Sequence, residues 1–145
     1  MDGKQLLLEL DSVLDTKRTG VLSTIDEKGF PQMRWMTPGI IPGQEGRIYC
    51  LANPDSLKVN QLEHNSQVGW MFNSGNMDRV ISLKGRGKIL QNPDLAGTVM
   101  EALGGNLANF WKLNHDPSHL LIIETIIEEI ELYRPADGTR FRASV

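Results

Sequence analysis

The sequence predicts a mainly β protein, an antiparallel barrel with peripheral helices. Three features favour this class. Short segments rich in β-branched and aromatic residues recur along the chain, hairpin-type turns join several of them, and helices do not alternate regularly with strands. With 145 residues the chain suits one domain, expected to span 1–145, which can bury about two-thirds of its surface.

The composition limits the possible partners. The net charge is −3, and the basic residues are scattered along the chain. A nucleic-acid binder gains most of its affinity by neutralising phosphates, so we expect no nucleic-acid partner. No stretch approaches the roughly 18 apolar residues that a membrane helix needs, so we expect no membrane partner.

The single cysteine, Cys50, rules out an internal disulfide and gives no sign of an oxidising compartment. Near the N-terminus, three consecutive leucines stand between charged residues, a run too short for the apolar core of a signal peptide. A cytoplasmic location is the default expectation.

The first third of the chain predicts a helix and three strands. Residues 4–17 carry leucines and a valine at helical spacing. A strand over 20–25, a hairpin turn over 26–29 and a return strand over 31–37 follow, and a third strand is predicted over 47–52.

The middle of the chain predicts a short helix and two strands. Asp55 or Ser56 is the expected N-cap of a helix over about 57–64. Strands follow over 67–73 and 78–90. In the second of these, alternate residues predict one buried and one wet face: Ile81, Leu83 and Ile89 against Ser82, Lys84, Arg86 and Lys88.

Two glycines and a run of isoleucines mark the remaining elements. Gly85 and Gly87 lie inside the long strand and indicate a bulge or a close backbone approach. Helices are predicted over 94–103 and 106–113. The segment 120–133 fits a helical period but is rich in isoleucine, which favours a strand. We interpret it as the sixth and last strand.

The start of the short helix is a candidate phosphate site. A helix N-terminus offers unpaired N–H groups and a partial positive charge. Lys58 lies in the first turn, where a cation opposes the helix dipole unless an anion is bound there. The alternative is an ordinary solvated surface lysine.

Arg34 is a second candidate. It lies among apolar and aromatic residues on the second strand, where a guanidinium needs an anionic partner. The alternatives are an arginine that extends to the rim of the barrel, or one paired with a structural carboxylate.

The histidines and the cysteine give weaker signals. His115 and His119 have a spacing that metal pairs use, but Pro117 between them indicates a loop, and we expect no metal site. Cys50 stands within a strand, where a buried structural cysteine is far more common than a nucleophile.

Three runs of the sequence follow one another in a distinctive order: TGVLSTIDEKGFPQMRWM, RIYCLANPDSLKVNQLEHNSQVGWMF and RVISLKGRGKIL. In this order they resemble the pyridoxamine 5′-phosphate oxidase-like split-barrel family, and in particular its small general-stress-protein branch. The resemblance covers about residues 6–133. Its most specific part is Ser56-x-Lys58 followed by Gln61, Leu62 and Asn65.

The resemblance implies a six-stranded antiparallel split barrel, a homodimer, and flavin mononucleotide (FMN) held in clefts between the two subunits. It assigns the FMN phosphate to Arg34, Ser56 and Lys58. The remaining cofactor contacts that it implies are Trp35, Met36, Thr37, Leu51 and Ala52.

Several positions depart from the family pattern. Leu57 replaces an arginine, and Ala52 replaces a threonine, both of which many relatives carry. Val80 replaces a glutamine of the true oxidases, and Gly39 replaces the lysine that holds the vitamin phosphate. Their basic and aromatic C-terminal motif is not recognisable in ELYRPADGTRFRASV. We therefore do not expect oxidation of vitamin B6 phosphates.

Two classes of function remain open at this point. The first is a flavin-dependent oxidoreductase whose catalytic side chains and small-molecule redox partner are unknown. The second is a binding or storage module, without turnover, for flavin, deazaflavin or haem. For either class a homodimer is expected, from the family resemblance and because Trp35, Trp70 and Phe72 lie on strands that a single small barrel is not expected to cover fully.

Overall fold

The computed structural model describes residues 1–105, 107 and 118–145. Its described part contains three helices: α1 (Gly3–Thr16), α2 (Leu57–His64) and α3 (Pro93–Leu103). Seven strands accompany them: β1 (Gly20–Ile25), β2 (Pro31–Met36), β3 (Arg47–Ala52), β4 (Gln67–Asn73), β5 (Val80–Leu90), β6 (Leu121–Arg134) and β7 (Thr139–Ser144). No described helix has both the length and the apolar character that crossing a membrane requires.

The strands form one antiparallel sheet in the order β2-β1-β4-β5-β6-β3. β6 is long enough to serve two neighbours on one side: β3 pairs with its first half and β7 with its second half. β2 and β3 end the path without pairing as strands, and one bridge between Gly39 and Tyr49 links the chain after β2 to β3. The barrel is therefore split, as the family resemblance implied.

The prediction of six strands was wrong by one. β7 follows a turn at Asp137-Gly138, where Gly138 has a φ of +72°. Its side chains alternate between partly buried and exposed, so neither face of the strand is fully buried. The hydrophobic pattern that reveals a strand was therefore weak.

The main core fills the inside of the barrel. Inward-facing residues of β1, β3, β4, β5 and β6 pack against α1 and α2. α1 contributes Leu6, Leu10, Val13 and Leu14, and α2 contributes Val59 and Leu62. A second core lies between α3 and the outer face of β3 and β6.

β6 is a strand, as the isoleucines indicated. It lies between β5 and β3, and over residues 122–125 consecutive side chains on both faces are buried. Burial on both faces explains why its sequence lacks the alternation of a half-wet strand.

The long strand β5 has the predicted faces. Ile81 and Leu83 are buried, while Lys84, Arg86 and Lys88 are exposed. Its register with β6 shifts between Lys84 and Gly85, which confirms the predicted bulge.

Gly85 has a steric reason to be glycine. A Cβ at this position would lie 2.0 Å from the carbonyl oxygen of Ile126.

The helix predicted over 106–113 falls outside the described residues apart from residue 107.

Two of the three aromatic residues that were expected to be incompletely covered are buried. Trp70 and Phe72 are 2% and 1% exposed and stack with ring centroids 5.3 Å apart inside the barrel. Trp35 lies on the outer face of β2 and is 66% exposed. Of the three aromatics offered as a reason for a dimer, only Trp35 is uncovered, because β4 turns the other two inward.

Candidate functional site

The β1–β2 hairpin directs Arg34 toward the inside of the barrel. Asp26 accepts from the N–H groups of Lys28 and Phe30, and Gly29 takes a φ of +85°, which fixes the turn. The resulting register sets Arg34 opposite Leu22. Directly paired residues share one face of a sheet, so Arg34 lies on the face of the buried Leu22.

Neutral acceptors hold the Arg34 guanidinium. Nη1 donates to the Leu22 carbonyl over 3.2 Å and to Thr24 Oγ1 over 2.7 Å. Nη2 donates to Gln61 Oε1 over 3.3 Å. Among the described residues no carboxylate pairs with Arg34, so the structural ion pair considered above is not present in this part of the chain.

The start of α2 carries a hydroxyl without a partner. Ser56 is the N-cap of the helix, but its side chain makes no capping bond. Its Oγ is fully buried and has no hydrogen-bond partner. A buried hydroxyl left unpaired costs about 1–3 kcal/mol, so a ligand that bonds to it would remove a penalty.

Lys58 lies in the first turn of the same helix and is partly buried. Burial lowers the pKa of its ammonium group, Cys50 opposes this shift, and Arg34 adds to the lowering. Lys58 makes no hydrogen bond or ion pair with any residue that the structure describes. It is therefore not the freely solvated surface lysine of the alternative reading.

Cys50 on β3 lies close enough to Lys58 and Arg34 to interact with them electrostatically. Burial raises the pKa of the Cys50 thiol to about 12, and Lys58 and Arg34 oppose that shift. Burial also lowers the pKa of Arg34, although a guanidinium keeps its charge at any ordinary pH. Arg34, Cys50 and Lys58 thus lie within interacting distance of one another.

These groups fit a bound anion. Two cations lie close together without a described carboxylate, beside a helix N-terminus and an unpartnered buried hydroxyl. A phosphate monoester would accept hydrogen bonds from all of them and offset the repulsion between the two cations.

The other predicted residues of β2 point in different directions. Met36 lies on the inner face and packs against the main core. Trp35 lies on the opposite face, next to Val21 of β1. Thr37 follows the end of β2 and is partly buried. Arg34, Trp35 and Thr37 therefore cannot all face one ligand on the same side of the strand.

Leu51 and Ala52 are buried on opposite faces of β3. Ala52 packs in the main core with Cys50. Leu51 packs in the second core, against α3. Both are 2% exposed or less. A ligand at this end of β3 would meet main chain here before it met either side chain.

The side chains of the two C-terminal arginines form ion pairs within the sheet. Arg140 and Arg142 lie on β7 and both pair with Glu131, at 2.7 and 2.6 Å. Arg140 also lies over the ring of Tyr133, 4.1 Å from its centroid. Neither side chain is a free cation near Arg34 or Lys58.

The structure gives no metal centre among the residues that it describes. No group of three or more His, Cys, Asp or Glu side chains there could hold a metal ion. His115 lies outside the described residues, so the spacing of His115 and His119 stays untested. His64 is exposed on α2, with Nδ1 2.9 Å from the Asn60 carbonyl.

A separate cleft lies between α1 and the chain over 40–47. It has a volume of about 290 Å³ and an apolar floor that includes Leu7 and Ile40. Burial raises the pKa of Asp11 in its wall, and Asp15 and Glu45 raise it further. The lining holds two carboxylates, Asp11 and Glu45, and two cations, Lys4 and Arg47, so the cleft has no excess of positive charge to attract a phosphate.

Two residues of the site, Thr24 and Gln61, were not predicted from the sequence. Gln61 entered only as part of a family motif, and Thr24 was not considered. A signal for each was present: the hairpin register brings Thr24 near Arg34, and Gln61 follows Lys58 at the i, i+3 spacing of one helix face.

Comparisons with known proteins place these features in context. Residues 6–134 match the family described as pyridoxamine 5′-phosphate oxidase. No curated protein matches the chain.

Solved structures share the fold at low sequence identity. A Clostridium acetobutylicum protein related to general stress protein 26 of Bacillus subtilis is 17% identical, with 98% of this chain and 96% of that one covered and a TM-score of 0.76. General stress protein 26 of Bacillus anthracis is 20% identical, with 95% and 98% covered and a TM-score of 0.73. A haem-binding protein of Mycobacterium smegmatis is 14% identical, with 96% and 57% covered and a TM-score of 0.76.

Proposed function

The chain belongs to the pyridoxamine 5′-phosphate oxidase family, and we propose that it binds FMN with the cofactor phosphate on Arg34, Ser56 and Lys58. One observation carries the proposal. Arg34 and Lys58 interact across a site with no described carboxylate partner, beside the unpartnered hydroxyl of Ser56. Proteins of this fold family commonly bind flavin, which agrees with the proposal.

Each of the three side chains would act on the phosphate in its own way. Ser56 would donate its hydroxyl proton and so remove the penalty of an unpaired buried group. Arg34 would donate from the N–H groups that its protein partners leave free. Lys58 would contribute a point charge at the helix N-terminus, where the backbone N–H groups also favour an anion.

The remaining predicted contacts would line the rest of the cofactor. We propose that the main chain of Trp35, Met36 and Thr37 lies along the flavin, because the side chains of Trp35 and Met36 point to opposite faces of β2. The main chain of Leu51 and Ala52 at the end of β3 would meet the flavin from the other side. A bound flavin supplies hydride or electron transfer, while the protein supplies position and electrostatics. We assign no side chain as a catalytic acid or base.

We propose a cytoplasmic, stress-related oxidoreductase with a small-molecule redox partner. The likeness to the two general stress protein 26 structures supports the stress-related part. Vitamin B6 phosphates are poor substrates on this view. Gly39 supplies no cation for a second phosphate, and Arg140 and Arg142 are paired with Glu131.

We propose that two copies of the chain form the functional unit. Members of this family are typically dimers. Trp35 lies beside Val21 and Met71 in the sheet register, and Met33 follows on the same face of β2. Three of these four, Met33, Trp35 and Met71, are exposed large hydrophobic residues that a second copy would cover.

A second candidate is a binding or storage module without turnover, for flavin, deazaflavin or haem. The likeness to the haem-binding protein of Mycobacterium smegmatis favours it. Ala52 and Leu57 also stand where many relatives carry a threonine and an arginine.

The absorption spectrum of freshly purified protein separates these candidates. Flavin gives two visible bands, haem gives a Soret band, and an empty barrel gives neither. Titration of the stripped protein with FMN and with riboflavin then tests the phosphate site. Equal affinity for the two ligands would overturn our assignment of Arg34, Ser56 and Lys58.

A further inference from the structure

We propose that Gln61 and Thr24 are positioning residues, which hold the Arg34 guanidinium in the orientation that meets the cofactor phosphate. The inference rests on the proposed function and adds to it. It assigns roles to two side chains that do not themselves contact the ligand.

The hydrogen bonds of Arg34 leave a defined set of donors free. A guanidinium has five N–H groups. Two from Nη1 go to Leu22 and Thr24, and one from Nη2 goes to Gln61. The N–H of Nε and one N–H of Nη2 have no partner among the described residues. Two donors on one planar group match a phosphate that accepts hydrogen bonds in pairs.

Thr24 and Gln61 form one connected network with Arg34. The Thr24 hydroxyl accepts from Arg34 and donates to Gln61 Oε1 over 2.6 Å. Gln61 Oε1 therefore receives bonds from both residues. Because Thr24 is completely buried, its hydroxyl has no water to replace either partner.

The same network sets the separation of the two cations. Gln61 lies on α2 three residues after Lys58, and Thr24 and Arg34 lie on the paired strands β1 and β2. The Gln61 bonds therefore hold the helix that carries Lys58 against the hairpin that carries Arg34. Loss of these bonds would free both the guanidinium and the docking of the helix.

The chemistry of the two acceptors suits an anion site. A carboxylate would hold Arg34 more strongly, but it would also neutralise its charge. An amide and a hydroxyl fix the guanidinium and leave its full charge for the ligand. This explains why a partly buried arginine has neutral partners at a place where an ion pair would be the simpler solution.

The test measures FMN and riboflavin affinity by flavin fluorescence quenching in four variants. Gln61→Leu and Thr24→Val remove the acceptors, and we expect each to weaken FMN binding by about tenfold, the loss of one bond to a charged group. Thr24→Ser keeps the hydroxyl and should retain FMN affinity. Asn60→Leu, an exposed neighbour on α2, should have no effect. Riboflavin affinity should change little in all four.

Two further variants separate positioning from general stability. Gln61→Glu keeps the shape but neutralises Arg34, so it should weaken FMN binding at least as much as Gln61→Leu. In an Arg34→Ala background, Gln61→Leu should have almost no additional effect on FMN affinity, because the residue through which it acts is gone.

The outcomes distinguish failure of the proposed function from failure of the positioning role alone. Wild-type protein that binds FMN no more tightly than riboflavin overturns the proposed function and this inference with it. A wild-type preference for FMN that survives Gln61→Leu and Thr24→Val overturns the positioning role alone. A full Gln61→Leu effect in the Arg34→Ala background, or wild-type affinity in Gln61→Glu, also overturns it.

Discussion

Lys58 and Arg34 lie close enough for the guanidinium to lower the pKa of the ammonium group, in addition to the lowering by burial. The two like charges come from distant parts of the chain, and no carboxylate among the described residues separates them. Folding alone gains nothing from this arrangement, because each charge is partly desolvated and repels the other. A bound dianion would attract both cations and so offset their mutual repulsion.

The first prediction concerns the two cations directly. We expect Lys58→Ala and Arg34→Ala each to weaken FMN binding by about 1.5–3 kcal/mol, the range for hydrogen bonds to charged groups. Riboflavin lacks the phosphate and should be nearly indifferent to both changes. Fluorescence quenching titrations measure both affinities, and equal losses for the two ligands would contradict the phosphate assignment.

The second prediction concerns pH. The pKa of Lys58 is lowered by burial, so the side chain loses its proton at a lower pH than the usual value of about 10.4. An anion prefers the charged form, so FMN affinity should fall as pH rises through this lowered pKa. On the acidic side it should fall below about pH 6, where a phosphate monoester takes up its second proton.

Lys58→Arg is the matched variant for the pH profile, because a guanidinium does not titrate in this range. The alkaline fall should disappear in this variant, while the acidic fall should remain. Riboflavin titrated in parallel corrects for ionisation of the flavin ring. An alkaline fall of the same size in wild type and Lys58→Arg would exclude Lys58 as its source.

Arg34, Ser56 and Lys58 were predicted from the sequence, but the hydrogen-bond network around Arg34 was not. Arg34 stood out as a charge among apolar neighbours, and Ser56 and Lys58 as the start of a helix. The bond between Thr24 and Gln61 joins residues 37 positions apart and depends on how α2 docks against β1. No local pattern contains that information.

The elements were predictable where strong turns bound them. β1, β3, α2 and β4 begin and end at the predicted residues, because glycine, proline and asparagine interrupt the chain on their flanks. β7 was missed because its two faces differ little in burial. The sequence also did not predict that Trp70 and Phe72 point inward, because aromatic residues are common on both the buried and the exposed face of a strand.

The third prediction concerns the thiol. Burial raises the pKa of Cys50 to about 12, and the side chain is 1% exposed. We therefore expect iodoacetamide to leave Cys50 unmodified in native protein near neutral pH, because the thiolate is the reactive form. Mass spectrometry should find full labelling after addition of denaturant. Native labelling as fast as that of a free thiol such as glutathione would contradict the buried position.

The fourth prediction concerns assembly. Sedimentation at micromolar concentration should give about twice the chain mass of 16.2 kDa. Trp35→Glu places a charge in the exposed apolar face of β2 and should shift the protein toward the monomer. Leu8→Glu, which alters a similarly exposed residue on α1, is the matched control and should stay dimeric. A monomeric wild type that still binds FMN tightly would exclude a cleft shared between subunits.

The last prediction concerns chemistry: the flavin-loaded protein should not oxidise pyridoxamine or pyridoxine 5′-phosphate. A second phosphate needs its own cations, because a buried dianion without partners is severely penalised. Arg34 and Lys58 are assigned to the flavin phosphate. Gly39 offers no side chain, and a Cβ there would already lie 3.2 Å from that of Ala102.

Arg140 and Arg142 are the remaining cations that could supply a substrate site. Both are paired with Glu131 within the β6–β7 ladder, and Arg140 also stacks on Tyr133. To reach a substrate they would have to leave these partners. An assay of pyridoxal phosphate formation, with an authentic oxidase as the positive control, should therefore find no sustained turnover. Turnover that disappears in an Arg140→Ala, Arg142→Ala double variant would contradict the prediction and identify β7 as the substrate clamp.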